Sequence, residues 1–260
     1  MFSSVVQTAH AAEGISVKLS PYVIGEFGGL SITATMLTTW LAMIILVGLA
    51  IYAGRNLVLV PGKFQNLVEL TVGGLYKYTE DTLESKDLAK KYFPILLTIF
   101  LFLLAMNWTG LLPGVTSIGF FEGHGESQHL IPFFYPPATD LNMAIAFALI
   151  AMFVIEFAGI AALGLWKYGG KFINFSSPIN FIVGVIELIS ELGRLVSFSF
   201  RLFGNIFAGK TLLTVGLFFV PLFLPIPILA YEVFVGFIQA GVFAFLTLIF
   251  IKLATVEVEH

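Results

Sequence analysis

The sequence predicts an all-α integral membrane protein with about five membrane-crossing helices. Of its 260 residues, 58% are hydrophobic and only 11% are charged, and the mean hydropathy is +0.97. A water-soluble chain has about 25% charged residues, because its surface must face water. The apolar residues also form runs of about 20 or more, which at ~1.5 Å per residue are long enough for helices that cross a ~30 Å hydrocarbon core.

The first three spans are predicted at 32–53, 93–112 and 141–165. Between the first two, segment 55–91 contains six lysines and arginines, whereas the later loop 113–139 contains none. Because positive residues favour the cytoplasmic side of a membrane, the first segment is predicted to be cytoplasmic and the second external. This orientation places the N-terminus outside and the C-terminus in the cytoplasm.

Within the first cytoplasmic segment, apolar residues from Phe64 to Leu75 recur at helical spacing opposite Gln65, Asn66 and Glu69. This pattern is typical of an amphipathic helix that lies along the membrane surface. A helix that packs on its protein neighbours fits the same pattern equally well.

The last third of the sequence predicts two unusually long helices. No turn signal interrupts 178–220, which as a helix would extend ~64 Å and would have to tilt steeply or break. Pro221, Pro225 and Pro227 then predict a stiff turn, followed by a helix over 229–256. We therefore predict a single membrane domain over 1–260. It comprises an external tail (1–30), three spans with the amphipathic segment (31–177) and a helical hairpin (178–260).

Composition argues against several classes of function. The formal net charge of −3 gives no basic surplus for nucleic acid. Cysteine is absent, and the four histidines show no ligand spacing, so neither a metal site nor a cofactor is predicted. The sequence also contains no recognisable enzyme motif.

Arg201 lies inside an apolar stretch with no acidic residue within nine positions on either side. Its guanidinium stays charged at any biological pH, and placing it at the centre of a membrane costs at least ~2.5 to 3.5 kcal/mol. It belongs to a polar stripe at helical spacing, which consists of Glu187, Ser190, Arg194, Ser197, Arg201 and Asn205. A residue that only holds helices together needs no permanent charge, so we expect Arg201 to meet a carboxylate on another subunit.

Lys210 follows Arg201 by nine residues, which places it half a turn away from the stripe. An antiparallel hairpin centred near Pro221 would bring Lys210 opposite Glu232 and Arg201 opposite Gln239. One register satisfies both pairs, and the two cations are predicted to serve different polar paths.

Four stretches of the sequence together resemble subunit a of the F-type ATP synthase. They are Arg-Leu-Phe-Gly-Asn-Ile-Phe-Ala-Gly at 201–209, Gln239 seven residues after Glu232, Asn-Trp-Thr-Gly-Leu-Leu-Pro at 107–113 and Pro-Pro-Ala-Thr-Asp-Leu-Asn at 136–142. The resemblance covers nearly the whole chain. It implies a non-catalytic stator in a bacterial plasma membrane, beside a rotating ring of c subunits and with b subunits and the F1 sector as further partners.

The resemblance also implies two aqueous half-channels that meet a ring carboxylate on either side of an arginine. Arg201 occupies the position of that arginine, and Gln239 that of the glutamine facing it. Glu187, Ser197 and Asn205 match polar positions of the cytoplasmic half-channel. On the external side, Asp140 and Asn142 match a polar pair, and Glu232 matches a position held by Glu or His.

Lys210 departs from this pattern, because its position resembles one that is held by Glu or His in known members of the family. A lysine with an ordinary pKa of ~10.4 relays protons poorly. Either Glu232 alone relays protons with Lys210 as a tuning partner, or the transported ion is sodium. We expect protons, and sodium is the alternative.

Other features leave further alternatives open. Glu156, in the middle of the third span, is either an acid of the ion path or a partner for a neighbouring helix. Arg194 can pair with Glu187 or Glu191. A secondary transporter would bind a solute near the midplane, usually with inverted repeats, and the Gly and Pro residues do not fall in corresponding halves. A non-transporting assembly protein would leave Arg201, Lys210 and Glu232 unexplained.

Overall fold

A computed structural model describes residues 21–55, 57–112, 114–122, 129–172, 177–221 and 223–255. The helices in these residues are α1 (Ala34–Arg55), α2 (Lys63–Leu83), α3 (Lys86–Thr109), α4 (Leu141–Leu163), α5 (Leu165–Gly170), α6 (Pro178–Phe219) and α7 (Pro225–Thr255). Two antiparallel hairpins accompany them, formed by β1 (Val23–Phe27) with β2 (Leu30–Thr33) and by β3 (Gly119–Glu122) with β4 (His129–Pro132).

The helical membrane architecture predicted from the sequence is confirmed. Within the described residues, α1, α3, α4 and α7 are long and apolar enough to cross a membrane, and the chain is a multi-pass membrane protein. Helix α6 is longer still, but it contains five charged residues. A fifth crossing by α6 and the sidedness of the two termini stay predictions.

Several boundaries differ from those predicted. Helix α7 begins at Pro225 rather than at 229, since proline needs no N–H partner in the first turn of a helix. Helix α3 begins at Lys86, seven residues before the predicted span, because its first turns are polar and lie outside the apolar run. Helix α6 continues without a break over its 42 residues.

The N-terminal segment is only partly the tail that was predicted for 1–30. Residues 23–33 form the β1–β2 hairpin, whose turn at Gly28 and Gly29 has positive φ at both positions. Glycine adopts this conformation without steric cost, and the Gly-Gly pair is typical of a tight hairpin. Residues 1–20 lie outside the described part of the chain, as do 256–260 at the other end.

The described residues divide into two compact units, and α3, α4, α6 and α7 contribute residues to both. The first unit contains 21–55, 101–143 and 202–240, and thus α1, both hairpins and the α6–α7 turn. Its core includes Ala34, Leu103, Met106 and Leu202, all fully buried. The Thr35 hydroxyl donates to Asp140 Oδ2 at 3.4 Å and so ties α1 to the segment before α4.

The second unit contains 57–100, 144–201 and 241–255. Small residues line the buried face of α4 at spacings of three, four and seven, which lets neighbouring helices approach closely; they are Ala144, Ala148, Ala151 and Ala158. The rings of Phe198 and Phe243 stack at 4.7 Å in the same core. On the opposite face of α4, Leu149 and Phe153 are exposed, as lipid-facing residues are.

For the amphipathic helix α2, packing on protein neighbours is confirmed in its C-terminal half, and a position along the membrane surface stays a prediction for its N-terminal half. Its C-terminal half packs within the second unit, where Tyr76 meets the Phe93 ring and Tyr78 the Phe245 ring. In its N-terminal half, Phe64, Leu67 and Leu70 are exposed. That half retains an apolar surface suited to a membrane interface.

Candidate functional site

A cavity of about 170 Å³ lies within the first unit, large enough for several water molecules. Its wall combines the end of α3, Pro136, α6 residues from 205 to 212 and α7 residues from 231 to 235. Lys210 and Glu232 both line it, which confirms the predicted register for this pair. Asn205 lines it too, although the resemblance had grouped Asn205 with Glu187 and Ser197 on the opposite path.

The ammonium of Lys210 lies over an aromatic ring rather than against an acid. Lys210 Nζ is 3.4 Å from the centroid of the Tyr135 ring, a close cation–π contact. No ion pair between described residues includes Lys210. Burial raises the pKa of Tyr135 to about 12, so the ring stays neutral at physiological pH and offers its π face to the cation.

Tyr135 is itself held in place by the first unit. Its backbone N–H donates to the Thr38 hydroxyl at 2.9 Å, and its ring meets that of Tyr22 edge to face at 5.1 Å. Sequence reasoning missed Tyr135, because a tyrosine in a loop gives no helical pattern. The feature of the sequence that could have drawn attention to Tyr135 is its position directly before Pro136 and Pro137.

Glu232 reaches the cavity because α6 has no side chain at Gly209. A Cβ at Gly209 would lie 2.7 Å from Glu232 Oε1, so the carboxylate rests against the bare backbone one residue before Lys210. Glu232 Oε1 is buried and has no hydrogen-bond partner among the described residues. It is therefore available to a water molecule or a mobile proton.

Asn107 is a second polar group of this cavity that was not among the predicted site residues. Its Nδ2 donates to the Gly236 carbonyl at 2.9 Å, and Nε1 of the adjacent Trp108 donates to the Val233 carbonyl at 3.1 Å. These bonds attach the end of α3 to α7. Asn107 Oδ1 is buried and, within the described residues, has no partner.

Asp140 and Asn142 occupy different environments. Asp140 is buried, and its Oδ1 accepts from the Asn142 backbone N–H at 2.9 Å, which makes it the N-cap of α4. The Asn142 side chain is exposed, and neither residue lines the cavity of Lys210 and Glu232. Asp140 therefore caps α4, and its role in the external half-channel stays a prediction.

In the second unit, two charged residues of the polar stripe, Glu187 and Arg194, form ion pairs. The third, Arg201, forms none with a described residue. Glu187 Oε1 lies 2.6 Å from Lys171 Nζ, and Arg194 Nη1 donates to Glu191 Oε2 at 2.8 Å. The structure thus selects Glu191 over Glu187 as the partner of Arg194. The Arg194 guanidinium also lies 4.0 Å from the centroid of the Phe250 ring.

Arg201 has no acidic partner within the described part of the chain. Its one side-chain hydrogen bond is a long one, from Nη2 to the exposed Ser197 hydroxyl at 3.4 Å. The side chain is half-buried. Gln239 is buried in the first unit, and its Nε2 finds no acceptor among the described residues. Because these two residues belong to different units, their opposition stays a prediction.

No group of three or more His, Asp or Glu side chains in the described residues is arranged to hold a metal ion. What the arrangement provides is a cavity large enough for water with an acid, an amide and a lysine in its wall, and elsewhere a guanidinium that has no counter-charge among the described residues. Such groups can exchange protons or guide small ions.

Comparison with known proteins agrees with this picture. The family model described as ATP synthase A chain matches residues 36–252. A protein named ATP synthase subunit a from Campylobacter curvus (strain 525.92) is 34% identical over 85% of this chain and 89% of its own length.

Two further relatives are similar to the chain to the same degree. ATP synthase subunit a 2 of Syntrophotalea carbinolica is 35% identical over 84% of each chain. ATP synthase subunit a of Moorella thermoacetica is 32% identical over 89% of this chain and 94% of its own. Because the match spans nearly the full length of all these proteins, the chain belongs to the ATP synthase A chain family.

Proposed function

We propose that this chain is the stator subunit of the membrane sector of an ATP synthase in a bacterial plasma membrane. The family match and the names of its bacterial relatives support this role. The chain itself performs no ATP chemistry, which belongs to partner subunits of the F1 sector. Its direct partners are the ring of c subunits and the b subunits of the peripheral stalk.

The observation on which the proposal depends most is the unpaired guanidinium of Arg201. The neighbouring cations of the second unit, Lys171 and Arg194, each have a carboxylate within 3 Å. Arg201 has only a hydroxyl, at 3.4 Å. A permanent charge that has no acidic partner among the described residues is costly in a membrane, and a carboxylate that arrives from the c-ring would remove that cost.

Arg201 then acts in two ways. A ring carboxylate that has lost its ion cannot pass the stator as a bare anion in lipid, and the guanidinium offers it a fixed counter-charge. The same positive charge repels a cation that would run directly between the two half-channels. Each elementary charge that crosses 100 mV releases ~2.3 kcal/mol, and this repulsion directs that energy through rotation of the ring.

The cavity of Lys210 and Glu232 is the proposed external half-channel. In it, Glu232 Oε1 and Asn107 Oδ1 have no hydrogen-bond partner among the described residues, and Lys210 Nζ lies over the Tyr135 ring. In this arrangement Glu232 is the relay acid and Lys210 tunes it. Because Asn205 lines the same cavity as Lys210 and Glu232, we assign it to this path rather than to the cytoplasmic one that the resemblance implied. Glu187 and Ser197 keep their place in the proposed cytoplasmic path.

The proposal includes protons as the transported ion. Glu232 can take up and release a proton at an oxygen that has no other hydrogen bond in the described structure, which is what a relay requires. Sodium transport would need no relay acid. ATP-driven pumping by the purified complex, measured across sodium concentrations, decides between them, because sodium-dependent coupling would exclude the proton assignment.

Arg201→Ala tests whether this guanidinium keeps the two half-channels separate. We expect ATP-driven transport to be lost while the variant still inserts and co-isolates with the c-ring. Arg55→Ala removes the same charge from an exposed position at the end of α1 and serves as the matched control. Coupled transport retained in the Arg201 variant would refute the proposal.

A further inference from the structure

Helix α7 has apolar residues around its whole circumference, so burial alone does not decide which of its faces turns toward the protein. In its first-unit part, Phe234 and Ile238 are exposed, and contacts of such side chains with lipid have no preferred direction. The charged and amide side chains of that part are Glu232 and Gln239. The rotation at which they face the protein therefore depends on directional contacts.

Two directional contacts reach α7 from the end of α3. Asn107 Nδ2 donates to the Gly236 carbonyl at 2.9 Å, and Trp108 Nε1 donates to the Val233 carbonyl at 3.1 Å. The two carbonyls are three residues apart, so they lie on the same side of α7. A carbonyl oxygen within a helix has a second lone pair, so neither bond interrupts the helix. We call Asn107 and Trp108 the α3 clamp.

Gly236 lets the α3 clamp approach the backbone of α7. A Cβ at Gly236 would lie 3.2 Å from Asn107 Cβ and 3.5 Å from Trp108 Cδ1, so this face of α7 points toward the clamp. Glu232 precedes Gly236 by four residues and Gln239 follows it by three, which places both side chains on that face. A rotation of α7 by one residue, about 100°, would carry both of them away from it.

The end of α3 also supports the other side of the cavity. A Cβ at Gly110 would lie 2.6 Å from Pro136 Cγ, so the backbone of α3 packs directly on that proline. Pro136 follows Tyr135, whose ring lies under Lys210. Asn107 is only 2% exposed, and a hydrogen bond in such a buried place is costly to lose. The same few residues of α3 thus contact the element that carries Glu232 and the loop that holds Lys210.

We propose that the α3 clamp positions the relay acid: Asn107 and Trp108 hold α7 at the rotation at which the Glu232 carboxylate faces the cavity. This inference rests on the proposed function, in which Glu232 is the relay. The two clamp residues take up no proton themselves, since an amide and an indole donate without ionising. Without the clamp, apolar packing still holds α7 in place, but Glu232 faces the cavity for a smaller fraction of the time.

Thiol labelling measures this position directly. The chain contains no cysteine, so Glu232→Cys gives it a single thiol, which a small water-soluble reagent reaches in the assembled complex when the side chain faces the cavity. Adding Asn107→Leu or Trp108→Phe removes one donor of the α3 clamp. We expect each to slow labelling about three- to fivefold, the population shift that the loss of one hydrogen bond allows.

Trp40→Phe on α1 is the matched control for this labelling. Trp40 is 45% exposed and Trp108 is 40% exposed, but Trp40 bonds to no carbonyl of α7 in the described structure. Labelling should keep its rate in this control. An unchanged rate in both clamp variants overturns the proposal. Because Trp108 is exposed, Trp108→Phe should assemble even if Asn107→Leu does not, and thermal midpoints of the complexes verify this.

A disulfide in place of the α3 clamp tests whether position alone matters. The Cβ atoms of Asn107→Cys/Gly236→Cys would need a shift of only a few tenths of an ångström to reach disulfide geometry. We expect ATP-driven transport to be low in the reduced double variant and to recover on oxidation, while oxidation leaves each single cysteine variant unchanged. Failure of the cross-link to form, or of the cross-linked form to recover transport, overturns the proposal.

Glu232→Gln separates a failure of this inference from a failure of the proposed function. If Glu232→Gln pumps like wild type, Glu232 is not the relay, whereas the labelling experiment still decides whether the α3 clamp sets its position. If Glu232→Gln loses transport while Asn107→Leu and Trp108→Phe label and pump like their parents, the relay stands and the clamp is refuted.

Discussion

The two units of this protein treat buried charge in opposite ways. In the first unit, Lys210 and Glu232 share a cavity, yet neither forms an ion pair with a described residue. In the second unit, the partly buried Lys171 and Arg194 each lie within 3 Å of a carboxylate. Unpaired groups beside water can exchange ions, whereas paired groups stabilise the helices around them. This difference is what the proposed function expects of a conducting region and a scaffold.

Arg201 is the exception in the second unit, as the proposed function requires. Its guanidinium has no described acid as a partner, although the cations nearest to it in sequence within the unit are neutralised. A partner that moves cannot be part of the same rigid scaffold. Under the proposed function, Arg194 and Arg201, seven residues apart on one helix, are a structural arginine and a functional one.

The largest expected effect comes from removing the acid that neutralises Arg194. Glu191→Gln leaves the partly buried Arg194 guanidinium without the carboxylate that it contacts at 2.8 Å, and we expect a loss of about 3 to 5 kcal/mol. Thermal unfolding of the complexes measures this loss, with Glu80→Gln, which removes the carboxylate of the more exposed pair with Lys86, as the control. Equal unfolding midpoints of the two variants would contradict the prediction.

Gly209→Ala should reduce ATP-driven transport, with a smaller loss of stability than the change at Arg194's partner described above. The new Cβ would displace the Glu232 carboxylate, which is the movable end of a side chain, from its place in the cavity. A misplaced relay group can reduce ATP-driven transport by about tenfold or more. Gly193→Ala is the control on the same helix, since a Cβ there meets no atom within 4 Å. Equal transport by the two variants would argue against Glu232 as the relay.

Tyr135→Leu should have a smaller effect, because it removes the ring under Lys210 but no charge. A cation–π contact of this kind is worth about 0.5 to 2 kcal/mol, and we expect a several-fold fall in coupled transport. Tyr135→Phe keeps the ring and should stay close to wild type. If leucine and phenylalanine behave alike, the ring does not position Lys210.

The smallest effect concerns the exposed pair of Glu84 and Lys252 in the second unit. Lys252 Nζ donates to Glu84 Oε1 at 2.7 Å, and this bond holds the pKa of Glu84 below its ordinary value of 4.5. The resulting stabilisation is fully present above pH 4.5 and is lost as the pH falls through the lowered value. Thermal midpoints of wild type and Glu84→Gln should therefore differ slightly at neutral pH and converge in acid; a constant difference would contradict this.

Helices and spans were predictable because they depend on local properties of the chain. Apolar runs identified α1, α3, α4 and α7, and the absence of turn signals between 178 and 220 identified α6. The start of α7 at Pro225 was missed, since proline was interpreted as a turn residue when it also suits the first helical turn. The hairpins at 23–33 and 119–132 were missed because strands this short show little periodicity.

The sequence by itself determined the membrane class, the isolation of Arg201 and the register of Lys210 with Glu232, since composition and helical spacing suffice for all three. Only the tertiary structure decided that Arg194 pairs with Glu191, that Tyr135 lies under Lys210 and that the end of α3 bonds to α7. Partners that come from separate elements depend on packing, and packing depends on where glycines such as Gly209 and Gly236 let backbone and side chain approach. No local pattern in a single sequence records those approaches.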